Sequence, residues 1–319
     1  MRINKKENIC ALWTKSGANF GENAARPVCV FHLKGRKHMK KMPVLLTFDV
    51  DGECLWRCRD PKNAERPVIL SQGRYGPESG VPRILSMLKK HGIHATFFVP
   101  GFTVDEYPDM VRQMDAEGHE LGNHSWSHTY PDNMSGYDEE MKEYLDCSDI
   151  MEKVVGYRPK GYRSPAWEFS PYTLDILEQH LPEIAYSSNM MDTERIRYLT
   201  VNGRKTKLVE LPIHWVLDDA AFWLYSVRTP GKCMQPLSAV KEYWQEEFDA
   251  LLAEFQAEVR ESGDSDICFV LTCHPQIIGR PARMKMLDEF VQHMQDTNAV
   301  EFMTGFEAAD AFRRAHPIR

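Results

Sequence analysis

From residue 42 onward, short apolar runs of strand character alternate with longer stretches of helical period, and no other feature restricts the fold as much. The pattern predicts strands at Val44–Phe48, His94–Val99, Glu120–Asn123, Gly161–Ser164, Ile184–Ser187, Lys207–Ile213, Ile267–Thr272 and Val300–Met303. Between them it predicts helices at Val81–Gly92, Tyr107–Glu117, Glu139–Val155, Ser170–His180, Ser238–Arg260 and Met284–Gln295, with Gly92 and Gly118 placed as helix C-caps. A helical crossover returns the chain to the edge where the previous strand began, so successive strands run parallel. This many repeats argue for a closed barrel of seven or eight parallel strands over an open sheet.

The chain has 319 residues, 43% of them hydrophobic, which suffices for the core of one large domain spanning 42–319. Residues 1–41 show neither period and read as a poorly ordered N-terminal extension. With 46 acidic against 39 basic residues the net charge is -7, and the one basic run, Lys34–Lys41, reads as a solvated arm. Nucleic acid is therefore not an expected partner. Nothing approaches the length of a membrane span, and the apolar run after Lys5, Lys6 and Glu7 is broken by Thr14, Lys15 and Ser16, so no signal-peptide core forms and a cytoplasmic location is expected. Eight cysteines without regular spacing fit reduced thiols. Cys54 and Cys58, and Cys273 beside His274, read as packing thiols, because no second Cys pair completes a four-ligand metal set.

Four segments concentrate ionisable side chains: Thr47–Glu53, His124–His128, Arg163–Trp167 and Leu271–His274. The first, second and fourth follow or end apolar runs, so their polar groups fall where a strand stops, the end of a parallel barrel that carries chemistry. His124 and His128 are four apart, and on one helical turn their imidazoles would share a face. Asp51 is the most economical third ligand, and two His with one Asp leave positions open for water and substrate. Asp49 lies two residues earlier on the same strand face, where its carboxylate can serve as a base. Arg163 has the donor fork to keep that base ionised, and His274 is placed to protonate a leaving nitrogen. Two His and a carboxylate also suit a non-haem iron oxygenase, but that chemistry needs neither Asp49 nor His274.

Together the four segments resemble the signature motifs of the polysaccharide deacetylase, or NodB-homology, superfamily of metal-dependent amide hydrolases, in order over about residues 43–310. The resemblance implies a distorted (β/α) barrel, with Asp49 as base, Asp51, His124 and His128 as metal ligands, Arg163 tethering the base and His274 as general acid. It implies zinc as the metal, with cobalt or nickel able to substitute. Several features depart from the sugar-deacetylase pattern. The acids are separated as Asp49-Val50-Asp51, the third motif reads Arg163-Ser-Pro-Ala-Trp167, and the segments Glu210–Asp219 and His274–Arg283 are present. These features resemble the cytoplasmic branch of allantoinases, cyclic imide hydrolases and peptidoglycan-deacetylase-like proteins, whose members form homo-oligomers, tetramers or dimers.

The expected reaction is hydrolysis of a small cyclic imide or ureide, the alternative being N-deacetylation of peptidoglycan or of an N-acetylated oligosaccharide. A backbone N–H near Ala166 is expected to face the oxyanion. Glu53, Trp56, Trp167, Trp215, Phe222 and Arg280 are the candidate substrate-facing side chains.

Overall fold

A computed structural model describes residues 40–225 and 234–318. Of the expected extension, only Lys40 and Lys41 fall within the described residues.

β1 (Met42–Asp49) is almost wholly buried and pairs in parallel with β2 (Thr96–Val99) and β8 (Phe269–Cys273), as expected of an apolar strand covered on both faces. β3 (Glu120–Asn123), β4 (Gly161–Tyr162), β5 (Tyr186–Ser187) and β7 (Arg204–Glu210) extend the sheet from β2, and β9 (Val300–Phe302) pairs with β1. Among the described residues, these eight strands are parallel. The ninth, β6 (Arg197–Val201), is antiparallel to β7 and was not expected. Its signal was present in the sequence, since the hairpin turns on Asn202-Gly203, both with positive φ (50° and 80°), as a tight primed turn requires.

The sheet curls without a full closing ladder. Its path ends at β6 and β8, and the segment before β6 meets the segment before β8 through short links, Ile196 N–H to Asp266 O at 2.9 Å and Cys268 N–H to Glu194 O at 3.0 Å. The barrel is therefore distorted, as the motif resemblance implied.

Alternation along the strands separates two apolar layers. Val44, Leu46 and Phe48 of β1, Phe97 of β2 and Phe269, Leu271 and Cys273 of β8 pack outward against the helices, while Leu45, Phe98 and Val270 pack inward. The helix Leu237–Ser262 covers the outer layer with Val240, Trp244, Phe248 and Leu252, an i, i+4 row on one face. The helix Pro281–Asp296 adds Leu287, Phe290 and Val291. Continuing the inward column of β1 leads to Thr47 and Asp49, and continuing that of β8 leads to Thr272 and His274. Strand period thus aims both ends of the proposed acid–base pair into the barrel mouth.

Candidate active site

Asp49 ends β1 fully buried, and Arg163, just beyond β4, meets it. The guanidinium donates from Nη1 to Asp49 Oδ1 at 2.7 Å and to Thr47 Oγ1 at 3.0 Å, and from Nη2 to Ser188 Oγ at 2.9 Å. Its face rests 4.2 Å from the centre of the Phe98 ring. With neither partner exposed, the pair holds its geometry without competition from water.

Asp51 lies just past the strand, fully buried. Gln276 Nε2 donates to its Oδ2 at 3.2 Å, while Oδ1 has no hydrogen-bond partner and sits 3.5 Å from both His124 Nε2 and His128 Nε2. An orphaned carboxylate oxygen between two imidazole nitrogens is costly unless a cation compensates. The three donor atoms lie within 4.8 Å of one another, so these residues form a group that could hold a metal ion. His124 donates through Nδ1 to Arg163 O at 2.7 Å, which leaves its Nε2 lone pair facing Asp51. Burial lowers the His128 pKa to about 4, keeping that imidazole neutral at physiological pH. Burial also pushes the Asp51 carboxyl up, but His128, His124 and His274 outweigh it and hold it below the usual carboxylate range.

The two histidines do not share a helical turn, which corrects the expectation from their spacing. Residues 124–128 form a tight loop with Ser125 and His128 at positive φ (63° and 62°). One oxygen of Glu143, on the helix Tyr137–Val155, collects the Ser125 hydroxyl and the Trp126 and Ser127 N–H groups at 2.7 to 3.1 Å. That carboxylate holds the loop in a shape its own residues would not adopt.

His274 follows β8. Its Nδ1 lies 2.7 Å from Asp219 Oδ1 and 3.4 Å from Asp218 Oδ1, and its backbone N–H also donates to Asp219. Burial opposes charge on the imidazole, but Asp218 and Asp219 outweigh it and raise the pKa well above its usual value. These carboxylates favour the charged form of His274, whose Nε2 lies 3.8 Å from Asp51.

These groups border a pocket of about 270 Å³ whose walls include Leu55, Arg59, Tyr130, Ala166, Trp167 and Trp215. Trp167 and Trp215 stack at 4.2 Å, and Trp215 remains 45% exposed at the mouth. Ala166 and Trp167 take positive φ (56° and 59°), turning this backbone toward the pocket.

The family pattern for polysaccharide deacetylases matches residues 36–181. A polysaccharide deacetylase structure from Mycobacterium smegmatis is 31% identical, with a TM-score of 0.76 over 88% of this chain and 93% of its own. This chain belongs to the polysaccharide deacetylase family. The peptidoglycan deacetylase of Helicobacter pylori is 26% identical over 302 residues, covering 87% of this chain and 98% of that protein. Puue allantoinase shares the fold, with a TM-score of 0.73 at 21% identity over 89% of this chain and 94% of its own.

For this deacetylase-family chain, six expected residues converge: Asp49, Asp51, His124, His128, Arg163 and His274. Trp167, Trp215 and Ala166 line this pocket, and the other candidate substrate-facing side chains lie outside it. Glu53 turns away to pair with Arg57 at 2.6 Å and Arg74 at 2.7 Å. Phe222 packs against Trp223 and Tyr243. Trp56 and Arg280 border a neighbouring cavity.

Cys58 is not a mere packing thiol either, since its Sγ lies 3.6 Å from His128 Nδ1. Cys54 and Cys273 are buried as free thiols, as expected. Sequence reasoning missed Asp218, Asp219, Glu143 and Gln276. The adjacent acids 218 and 219, following an apolar stretch, were the signal available for the first two.

Proposed function

We propose that this protein is a metal-dependent hydrolase of a carbon–nitrogen bond in a small cyclic imide or ureide. The buried, orphaned Asp51 oxygen between two imidazoles supports metal dependence, and the pocket of about 270 Å³ supports a ring-sized substrate. A divalent ion held by Asp51, His124 and His128, zinc by family resemblance, supplies Lewis acidity toward a water and a carbonyl. Asp49, held in place by Arg163, accepts the proton of the attacking water. The Trp167 N–H is committed to Ser164 O at 3.0 Å, so the Ala166 N–H is the one assigned to the developing oxyanion. His274, its Nδ1 held by Asp219, protonates the departing nitrogen.

A second reading, N-deacetylation of a glycan, is favoured by the near-full-length similarity to the Helicobacter pylori peptidoglycan deacetylase and by the exposed Trp215, on which a sugar ring could stack. A homo-oligomer, tetramer or dimer, belongs to the same proposal and is read by light scattering. The deciding experiment incubates zinc-loaded protein with cyclic imides, ureides and N-acetylglucosamine oligomers. Ring opening of an imide or ureide is expected. Acetate release from the oligomers without imide turnover would replace the first reading with the second.

A further inference from the structure

Beside the active-site pocket lies a second cavity of about 310 Å³ whose walls include Trp56, Gln72, Trp223, Arg280 and Arg283. Leu224 borders both spaces, and Gln276, which holds Asp51, borders the second. Arg280 lays its guanidinium 3.5 Å from the centre of the Tyr75 ring, and Arg83 approaches the same ring while donating to the Tyr75 hydroxyl at 2.6 Å. Arg283 covers Trp223 at 4.8 Å and donates to Ile277 O at 2.9 Å.

Among the described residues, none of these three arginines is paired with a carboxylate, although Arg57, Arg74, Arg158, Arg195 and Arg204 all are. In a chain with more acids than bases these neighbouring cations make a local positive patch, with Asp219 the acid whose field reaches Arg283. Arg280 spends its face on a ring and keeps its N–H edge for an oxyanion, the geometry in which arginine binds carboxylates best, while Arg283 gives one donor to Ile277 O. The helix Pro281–Asp296 begins at Arg280 without a side-chain cap, adding the positive end of its dipole to the same wall.

We propose that this cavity is an anion subsite receiving a carboxylate carried by the substrate whose carbon–nitrogen bond lies between Asp49 and His274. The binding half stands on the arginine cluster alone, and only the placement of the scissile bond rests on the hydrolase reading. Gln72, on the cavity wall, can accompany the two guanidiniums as a neutral donor.

Calorimetric titration with benzoate and with inorganic phosphate tests the site, using the zinc-loaded wild type, Arg280→Gln/Arg283→Gln and His128→Ala. Benzoate is expected to bind wild type and His128→Ala alike, and the double variant at least ~10-fold more weakly, since a hydrogen bond to a charged group is worth about a decade of affinity or more. Arg280→Gln alone, at an exposed position, reads the same site should the double variant fail to fold. Benzoate binding that survives in the double variant but vanishes in His128→Ala would place the anion on the metal and overturn the subsite. Failure of both probes to bind would overturn it too, and phosphate binding tighter than benzoate would make it a free-anion site instead. Intact benzoate binding with no turnover of any amide would sink the hydrolase reading while leaving the subsite standing.

Discussion

Arg163 and Asp49 form an ion pair from which solvent is excluded on both sides, with Nη1 2.7 Å from Oδ1 and the remaining guanidinium donors spent on Thr47 and Ser188. An ammonium could replace one of those bonds but not the fork. Arg163→Lys should therefore keep the fold and lower kcat by roughly 10²-fold or more, in the range of a displaced acid–base group. Arg163→Ala leaves a buried carboxylate alone and should cost about 3–5 kcal/mol of stability. Steady-state kinetics and denaturant unfolding read the two effects separately, and a fully active Lys variant would remove Arg163 from the positioning role.

Asp49→Asn preserves the size of the proposed base and removes its basicity. Metal should stay bound, because Asp51, His124 and His128 are untouched, while turnover falls by roughly 10²- to 10⁴-fold. Metal analysis alongside kinetics checks this, and near-normal activity would mean the base is another residue.

His128→Ala removes one of the three proposed metal ligands. Bound zinc should be lost and turnover abolished, with the thermal unfolding of the metal-free protein changed little, since the apolar layers are built without the site. Stoichiometric zinc in the purified variant would take His128 out of the metal group.

Asp219→Asn weakens the carboxylate field that favours the charged form of His274. An acid is lost as pH rises through its pKa, so the alkaline limb of the rate profile should move to lower pH, together with a loss of about 10²-fold or more in kcat. A profile that keeps the wild-type limb would show that another group donates the proton.

His119 offers a pH test away from the site. Burial, with His94 beside it, lowers its pKa to about 4, and its Nδ1 accepts the Ala95 N–H at 3.2 Å. The unfolded chain protonates this imidazole below about pH 6.5 and the folded one does not, so stability falls as pH drops from there to about 4. His119→Gln should flatten that part of the curve in denaturant titrations at stepped pH, and an unchanged slope would assign the loss to other groups.

The residues at strand ends were legible because strand period and burial are local properties. An apolar run that stops at Asp49 or His274 places that side chain at the barrel mouth whatever else the chain does, and the motif order supplied their partners. Eight parallel strands followed from alternation with helices, and even the overlooked hairpin of β6 and β7 was written in Asn202-Gly203.

Tertiary structure alone decided the remainder. The His124–His128 segment forms a strained loop rather than a helical turn because Glu143, on a separate helix, satisfies its backbone. Glu53 faces away from the pocket because Arg57 and Arg74 neutralise it. His274 meets Asp218 and Asp219, more than fifty residues away, and the arginines become a cluster only where Tyr75 brings Arg83 and Arg280 together. Apart from the local Glu53–Arg57 pair, a charge or a strained backbone is settled in these cases by a partner on another element, and Coulomb energy and hydrogen bonding depend on separation in space.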